Sequence, residues 1–214
     1  MKEPKILLST TYLGPVSYYC RLFSYPTVVI EQHEHYMKQT YRTRCRIASP
    51  NGPQWLTIPV VHDDASHSAI RDIEISSHGN WQHLHWQAGW TAYEGSPFFE
   101  FYADDIRPFY EKTYRFLFDF TEGLRQTMCQ LLGISPHVEL TSQYNADPEG
   151  FEDLRTLINP KNPIPDKLFF PQPYYQTFRD KLGFLPNLSI VDLLFNMGPE
   201  SVLVLRDSLK ICDS

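Results

Sequence analysis

Two short apolar runs open the chain, Lys5–Ser9 (KILLS) and Thr27–Glu31 (TVVIE). Each has the length of a buried strand, and the second is rich in β-branched residues. Between them Tyr18, Tyr19, Leu22 and Phe23 recur at helical spacing, after Gly14-Pro15 and before Tyr25-Pro26. Proline is accepted at the first helical position and disfavours helix at the residue before it, so the segment predicts strand, loop, helix, strand. The period then changes to two across Tyr41–Val61. Arg42, Arg44 and Arg46 alternate with Tyr41, Thr43, Cys45 and Ile47, while Leu56, Ile58 and Val60 alternate with Trp55, Thr57 and Pro59. The Ser49–Pro53 link holds Asn-Gly between prolines, which is turn chemistry, so the stretch predicts a hairpin. Neighbouring side chains on a strand face opposite ways, and the three arginines are expected as one basic row.

Further on, Ala69–Ser76 reads as a strand and Trp81–Tyr93 as a helix with Trp86, Trp90 and Tyr93 on one side and His85 beside them. Ser96-Pro97 resembles an N-cap and first turn, Asp105 the cap of a second helix with Pro108 in its first turn, and Thr121–Leu132 a third helix stopped by Gly133. Val138–Thr141 is expected as a strand and Glu149–Ile158 as a short amphipathic helix. A proline-broken loop follows over residues 159–175, and its aromatic stretch through residues 169–178 offers a surface for protein partners. Ser189 and Asp192 have capping-box-like spacing before an apolar helix that Gly198 ends and Pro199 follows. The fold class is therefore α/β (or α+β): a mixed sheet with an N-terminal strand–loop–helix–strand unit, a central hairpin and a helical C-terminal half. One domain over residues 1–214 is expected, sheet-rich to residue 80 and mainly helical beyond it.

Composition narrows the function. A chain of 214 residues with 42% hydrophobic residues has material for a large core, and a net charge of −6 argues against a nucleic-acid partner. No apolar run reaches the length of a membrane span, and the N-terminal MKEPKILLST is too short an apolar run for a secretion signal. Cys20, Cys45, Cys129 and Cys212 are scattered and form no CxxC pair, as expected of free thiols in the cytoplasm. GxSxG, Walker, GxGxxG and HExxH motifs are all missing, so no cofactor is assigned. His33 and His35 stand two apart, yet no further ligands accompany them and no metal site is assigned. The polar loop from His62-Asp63-Asp64 to His67 carries no motif either.

A basic row on an acidic chain points to a small anionic ligand, because the guanidinium fork matches phosphate and carboxylate. Lys38, Arg42, Arg44 and Arg46 are the candidates for binding it, with Tyr12 and Trp55 as further substrate contacts. His33, His85 or Glu31 would serve as the general base. The loop TTYLGP, where the first strand meets a helix, reads equally as a chain reversal or as a ligand site of the open α/β type.

The residues also resemble a known family, the WbqC-like proteins of bacterial surface-polysaccharide gene clusters. Tyr12-Leu13-Gly14-Pro15, Lys38, Tyr41 and Arg44, the block Gln54-Trp55-Leu56-Thr57-Ile58-Pro59-Val60, then His85, Tyr93, Ser96-Pro97-Phe98-Phe99 and Leu132-Gly133-Ile134 carry the likeness. Ser9-Thr10-Thr11 departs from the family's His/Gln-Pro, and Thr43 and Cys45 stand where asparagine is usual. The resemblance implies acyl or aminoacyl transfer to a sugar or sugar nucleotide in O-antigen biosynthesis. A non-catalytic adaptor of a polysaccharide assembly complex is the alternative.

Overall fold

The computed structural model describes residues 5–61, 68–160 and 164–210. The His62–His67 loop and Cys212 lie outside the described residues. Strand β1 (Lys5–Ser9) runs parallel to β2 (Thr27–Glu31), Lys5 opposite Thr27 and Ser9 opposite Glu31, with helix α1 (Val16–Ser24) as the crossover. Parallel neighbours cannot be joined by a tight turn, and α1 supplies the required return. The hairpin follows as β3 (Arg44–Ile47) and β4 (Gln54–Thr57), antiparallel, with Arg46 opposite Trp55. Helices α2 (Trp81–Tyr93), α3 (Phe99–Glu111) and α4 (Leu117–Leu131) come next. Strands β5 (His137–Leu140) and β6 (Phe151–Asp153) then complete a parallel sheet of order β5-β2-β1-β6. The chain closes with α5 (Arg179–Leu182), α6 (Ile190–Met197) and α7 (Ser201–Ser208), the last packed against α1. The protein is thus of mixed α/β class, as its hydrophobic periods indicate.

Both central strands are apolar and buried on both faces: Ile6, Leu8, Val28 and Ile30 on one, Leu7 and Val29 on the other. They belong to one hydrophobic core that runs from Ile6 to Leu209 and takes in Tyr93, Phe120, Leu124, Met128 and Leu193. Cys20, Cys45 and Cys129 are buried, free thiols. Among the described residues no helix is long and apolar enough to cross a membrane.

Several elements differ from their sequence reading. Ala69–Ser76 is a single 3-10 turn, Ile70–Asp72, followed by isolated bridges from Glu74 to Phe116 and Ile75 to Val60. No new helix starts at Asp105; α3 runs through it and keeps Pro108 in its last turn, where the proline has no amide to donate to the carbonyl four residues back, at Asp104. The next helix starts at Leu117, ahead of Thr121. Glu149–Ile158 holds β6 and not a helix, because the open edge of β1 captures Phe151–Asp153 in parallel register. The caps differ too: the Ser96 hydroxyl donates to the Tyr93 carbonyl (2.7 Å), and the Ser189 hydroxyl to the Leu13 carbonyl (2.7 Å).

Gly198, between α6 and α7, has φ +53°, and a Cβ there would lie 2.5 Å from the Phe98 ring. Gly198→Ala combines left-handed strain with overpacking, so it is expected to lose about 2–4 kcal/mol in urea unfolding.

Candidate functional site

The carboxyl edge of the parallel sheet gathers polar groups. Ser9 ends β1, Glu31 ends β2, Asp153 ends β6, and Thr141 stands just past β5. Two buried arginines tie this edge together. Arg42 donates from Nε to Glu34 Oε1 (2.8 Å) and from Nη2 to both Glu34 Oε2 (2.5 Å) and the Ser9 hydroxyl (2.7 Å). Arg155 forks onto Asp153, reaches Glu31 Oε2 at 3.5 Å and donates to the Asn145 carbonyl at 3.0 Å. Glu31, with no exposed surface, accepts from the Thr141 hydroxyl and the His33 amide, each at 2.7 Å. Buried ions survive only when paired and hydrogen-bonded, and these are.

This arrangement corrects the expected row of three arginines. Arg42 lies in the turn that precedes β3, and it faces inward as the partner of Glu34. Arg44 and Arg46 alone share the outer face of the hairpin. Glu31 is equally committed inside, Tyr12 is fully buried, and Lys38 is exposed in the turn before Tyr41. His33 is half-buried, its ring Nε2 enclosed without a partner.

The outer face of the hairpin borders a cleft of about 340 Å³. Tyr41, Arg46 and Trp55 form one wall and Leu157–Pro160 after β6 another, with Ser17, Asp166, Phe169 and Asn187 among the other lining residues. Arg44 lies over the Trp55 ring at 4.4 Å from its centroid, and Tyr41 approaches Trp55 at 6.0 Å. Arg46 Nη2 donates to the Pro186 carbonyl (3.0 Å), and its Nε is enclosed without a partner. The chain leaves β1 toward β2 and returns on its other side as β6, so the strand order reverses at β1, and the cleft residues Ser17 and Leu157–Pro160 belong to the segments that follow β1 and β6 in the chain. The amino end of α1 itself is closed: Leu188 O accepts from the Val16 amide (2.9 Å) and Asn187 Oδ1 from the Ser17 amide (2.9 Å). Those amides are spent on the chain's own loop, so the outer arginines carry the ligand reading and the helix terminus does not.

His85 stands on the opposite side of the hairpin. It sits with Ile47, Leu56, Trp86 and Tyr110 around a 30 Å³ apolar cavity, space for about one water. Its Nδ1 faces the Tyr12 hydroxyl at 2.9 Å, and Tyr12 meets the Tyr110 hydroxyl at 2.8 Å. Burial lowers the imidazole pKa to about 4, only partly countered by the Thr57 backbone, so the ring is neutral. The ribbon of β3 and β4 therefore separates His85 from Arg44, Arg46 and Trp55. Neither His85 nor Glu31 is grouped with the arginine face.

A second buried polar knot escaped the sequence reading. Asp192, with no exposed surface, accepts from the hydroxyls of Tyr93 (3.0 Å) and Tyr174 (2.6 Å) and from Gln176 Nε2 (3.0 Å). Burial raises its pKa to about 6 in spite of those three donors. Its spacing from Ser189 imitates a capping box, and nothing local marks Tyr174 and Gln176 as its partners. In the aromatic stretch 169–178, Tyr174 is thereby turned inward, Phe169 lines the cleft, and Phe170 and Tyr175 remain exposed.

An arginine, a tryptophan and a tyrosine of the hairpin thus border one cleft beside a parallel α/β core. The sequence pattern of the WbqC-like protein family matches residues 10–159, which include β2, the hairpin, α2 and β6, and the chain belongs to that family. It is also similar to the protein named Uncharacterized protein Rv1507c of Mycobacterium tuberculosis, 27% identical over 235 aligned residues that cover 99% of each chain. No solved structure matches it.

Proposed function

We propose that the protein is a cytoplasmic transferase of surface-polysaccharide biosynthesis, moving an acyl or aminoacyl group to a sugar or sugar nucleotide bound in the hairpin cleft. One observation carries the reading: Arg46, Trp55 and Tyr41 converge on a cleft bordered by the segments that follow β1 and β6. The guanidinium groups neutralise phosphate or carboxylate, and the aromatic rings offer flat walls to a sugar or base. Lys38 and Arg44 extend the positive field at the rim, whereas Arg42 supports the edge of the sheet from within. A second reading, a non-catalytic binding protein of a polysaccharide assembly complex, is favoured by the position of His85 and Glu31 away from the cleft. Phe170 and Tyr175 would then meet the partner.

A thermal-shift panel of sugar nucleotides, acyl donors and aminoacyl donors tests both readings. A ligand at a hundred times its Kd adds about 2.7 kcal/mol to stability. Arg46→Ala and Trp55→Ala are each expected to weaken that ligand by at least tenfold while leaving the unliganded melting temperature within about two degrees, since surface substitutions change stability little. Binding that survives both substitutions removes the cleft from consideration. Binding without turnover supports the second reading.

A further inference from the structure

Arg21 is a buried cation inside α1, 1% exposed, in a helix whose residues from Val16 to Leu22 are all buried. Its Nη1 donates to the Ser17 carbonyl at 3.2 Å, its Nη2 meets Asp166 Oδ2 at 2.5 Å, and its Nε has no partner. Asp166 and Ser17 both line the cleft, so this guanidinium lies directly behind its wall. Arg46 is linked to the same place through a short chain of bonds: Arg46 to the Pro186 carbonyl, Asn187 to the Ser17 amide, Ser17 to Arg21. One arginine thus stands on the open side of the cleft, and a second stands at its floor, covered by a single carboxylate.

We infer that the cleft is a two-anion site for a ligand of the diphosphate type, with Arg46 as its outer anchor and Arg21 as its inner one, the inner position being filled by the chain's own Asp166. This rests on the cleft being the ligand site and specifies its ligand class. Asp166 belongs to a separate segment after β6, where its other oxygen, Oδ1, accepts from the Leu168 amide at 3.1 Å. It can leave Arg21 without unravelling α1. A tethered competitor acts at an effective concentration on the order of millimolar, so it sets a threshold that a ligand anion must exceed. A monoanion engages Arg46 alone. A ligand with two linked anionic groups reaches both arginines and displaces Asp166.

Inorganic pyrophosphate and inorganic phosphate are the probes, and calorimetry with thermal melts the readout. Asp166→Ala uncovers Arg21, so the variant is expected to melt lower than the parent and to regain stability in millimolar pyrophosphate. It should bind pyrophosphate at least tenfold tighter than the parent does, with a smaller gain for phosphate. The Arg21→Met/Asp166→Ala double variant should lose both the rescue and the gain in affinity. The proposal is overturned if pyrophosphate neither rescues nor binds tighter to Asp166→Ala, or if rescue persists in the double variant. Should Asp166→Ala not fold, Asp166→Asn is measured by the same two readouts and judged by the same outcomes. An equal gain for phosphate and pyrophosphate overturns the two-anion requirement. The cleft reading itself fails separately, when Arg46→Ala leaves parental ligand binding unchanged.

Discussion

Arg42→Ala is expected to cost the fold about 3–5 kcal/mol, the range found when one partner of a buried ion pair is removed. Glu34 is 6% exposed and receives two charge-assisted bonds from Arg42, while Ser9 receives a third at the end of β1. Truncation strands the carboxylate in a site that water does not reach. The loss is therefore one of desolvation and not of contact area. The double variant Arg42→Met/Glu34→Leu removes both ions and fills the space with apolar atoms, and its stability should return to within about 2 kcal/mol of the parent. Urea unfolding of the two variants decides the point. A single variant as stable as the parent would show that Glu34 finds solvent or another donor.

The second large effect is a pair of opposed pH dependences. His85 has its pKa lowered from 6.5 to about 4 by burial, so the unfolded chain binds its proton first as pH falls. The stability it contributes is complete above about pH 6.5 and lost as pH falls toward 4, a change of about 3 kcal/mol. Asp192 has its pKa raised from 3.8 to about 6, again by burial, so here the folded chain binds the proton first. Its contribution is complete below about pH 4 and lost as pH rises to 6, again about 3 kcal/mol. Between pH 4 and 6 the two offset each other, one proton bound on His85 in the unfolded state against one on Asp192 in the folded state. In His85→Asn the remaining slope should make the protein more stable on going from pH 6 to 4; in Asp192→Asn it should make it less stable over the same range. Denaturant titrations across pH 4–7 read both slopes. Identical slopes in the two variants and the parent would refute the assignment.

The parts of the fold that were legible in the sequence are those whose partners lie nearby. KILLS and TVVIE announce buried strands by composition, and the prolines around Tyr18–Phe23 delimit the helix between them. The Asn-Gly turn sets the hairpin, and alternation correctly separates Arg44, Arg46 and Trp55 from Cys45, Ile47 and Leu56. Alternation alone does not show where a strand begins, and that is why Arg42 was assigned to the outer face. Phe151–Asp153 was hidden for a different reason. Phe151, Leu154, Leu157 and Ile158 have helical spacing, and only hydrogen bonds to β1 make the segment a strand. The pairs Arg21–Asp166 and Asp192–Tyr174 join residues across loops, so no local period reveals them. The site was legible as chemistry, in its arginines and tryptophan, but its geometry depends on those distant pairings.

The position of β1 has a consequence for how the protein is made. Strand β1 is made shortly before β2 and can pair with it almost at once, but its other edge waits for Phe151–Asp153. At about 5–20 residues per second, translation leaves that apolar edge open for roughly 7–30 s. During that interval the nascent chain displays an unpaired, two-sided apolar strand, the surface that chaperones hold and that neighbouring chains misread. The sheet is thus begun at β1 and closed only when β6 has been made, more than a hundred residues later.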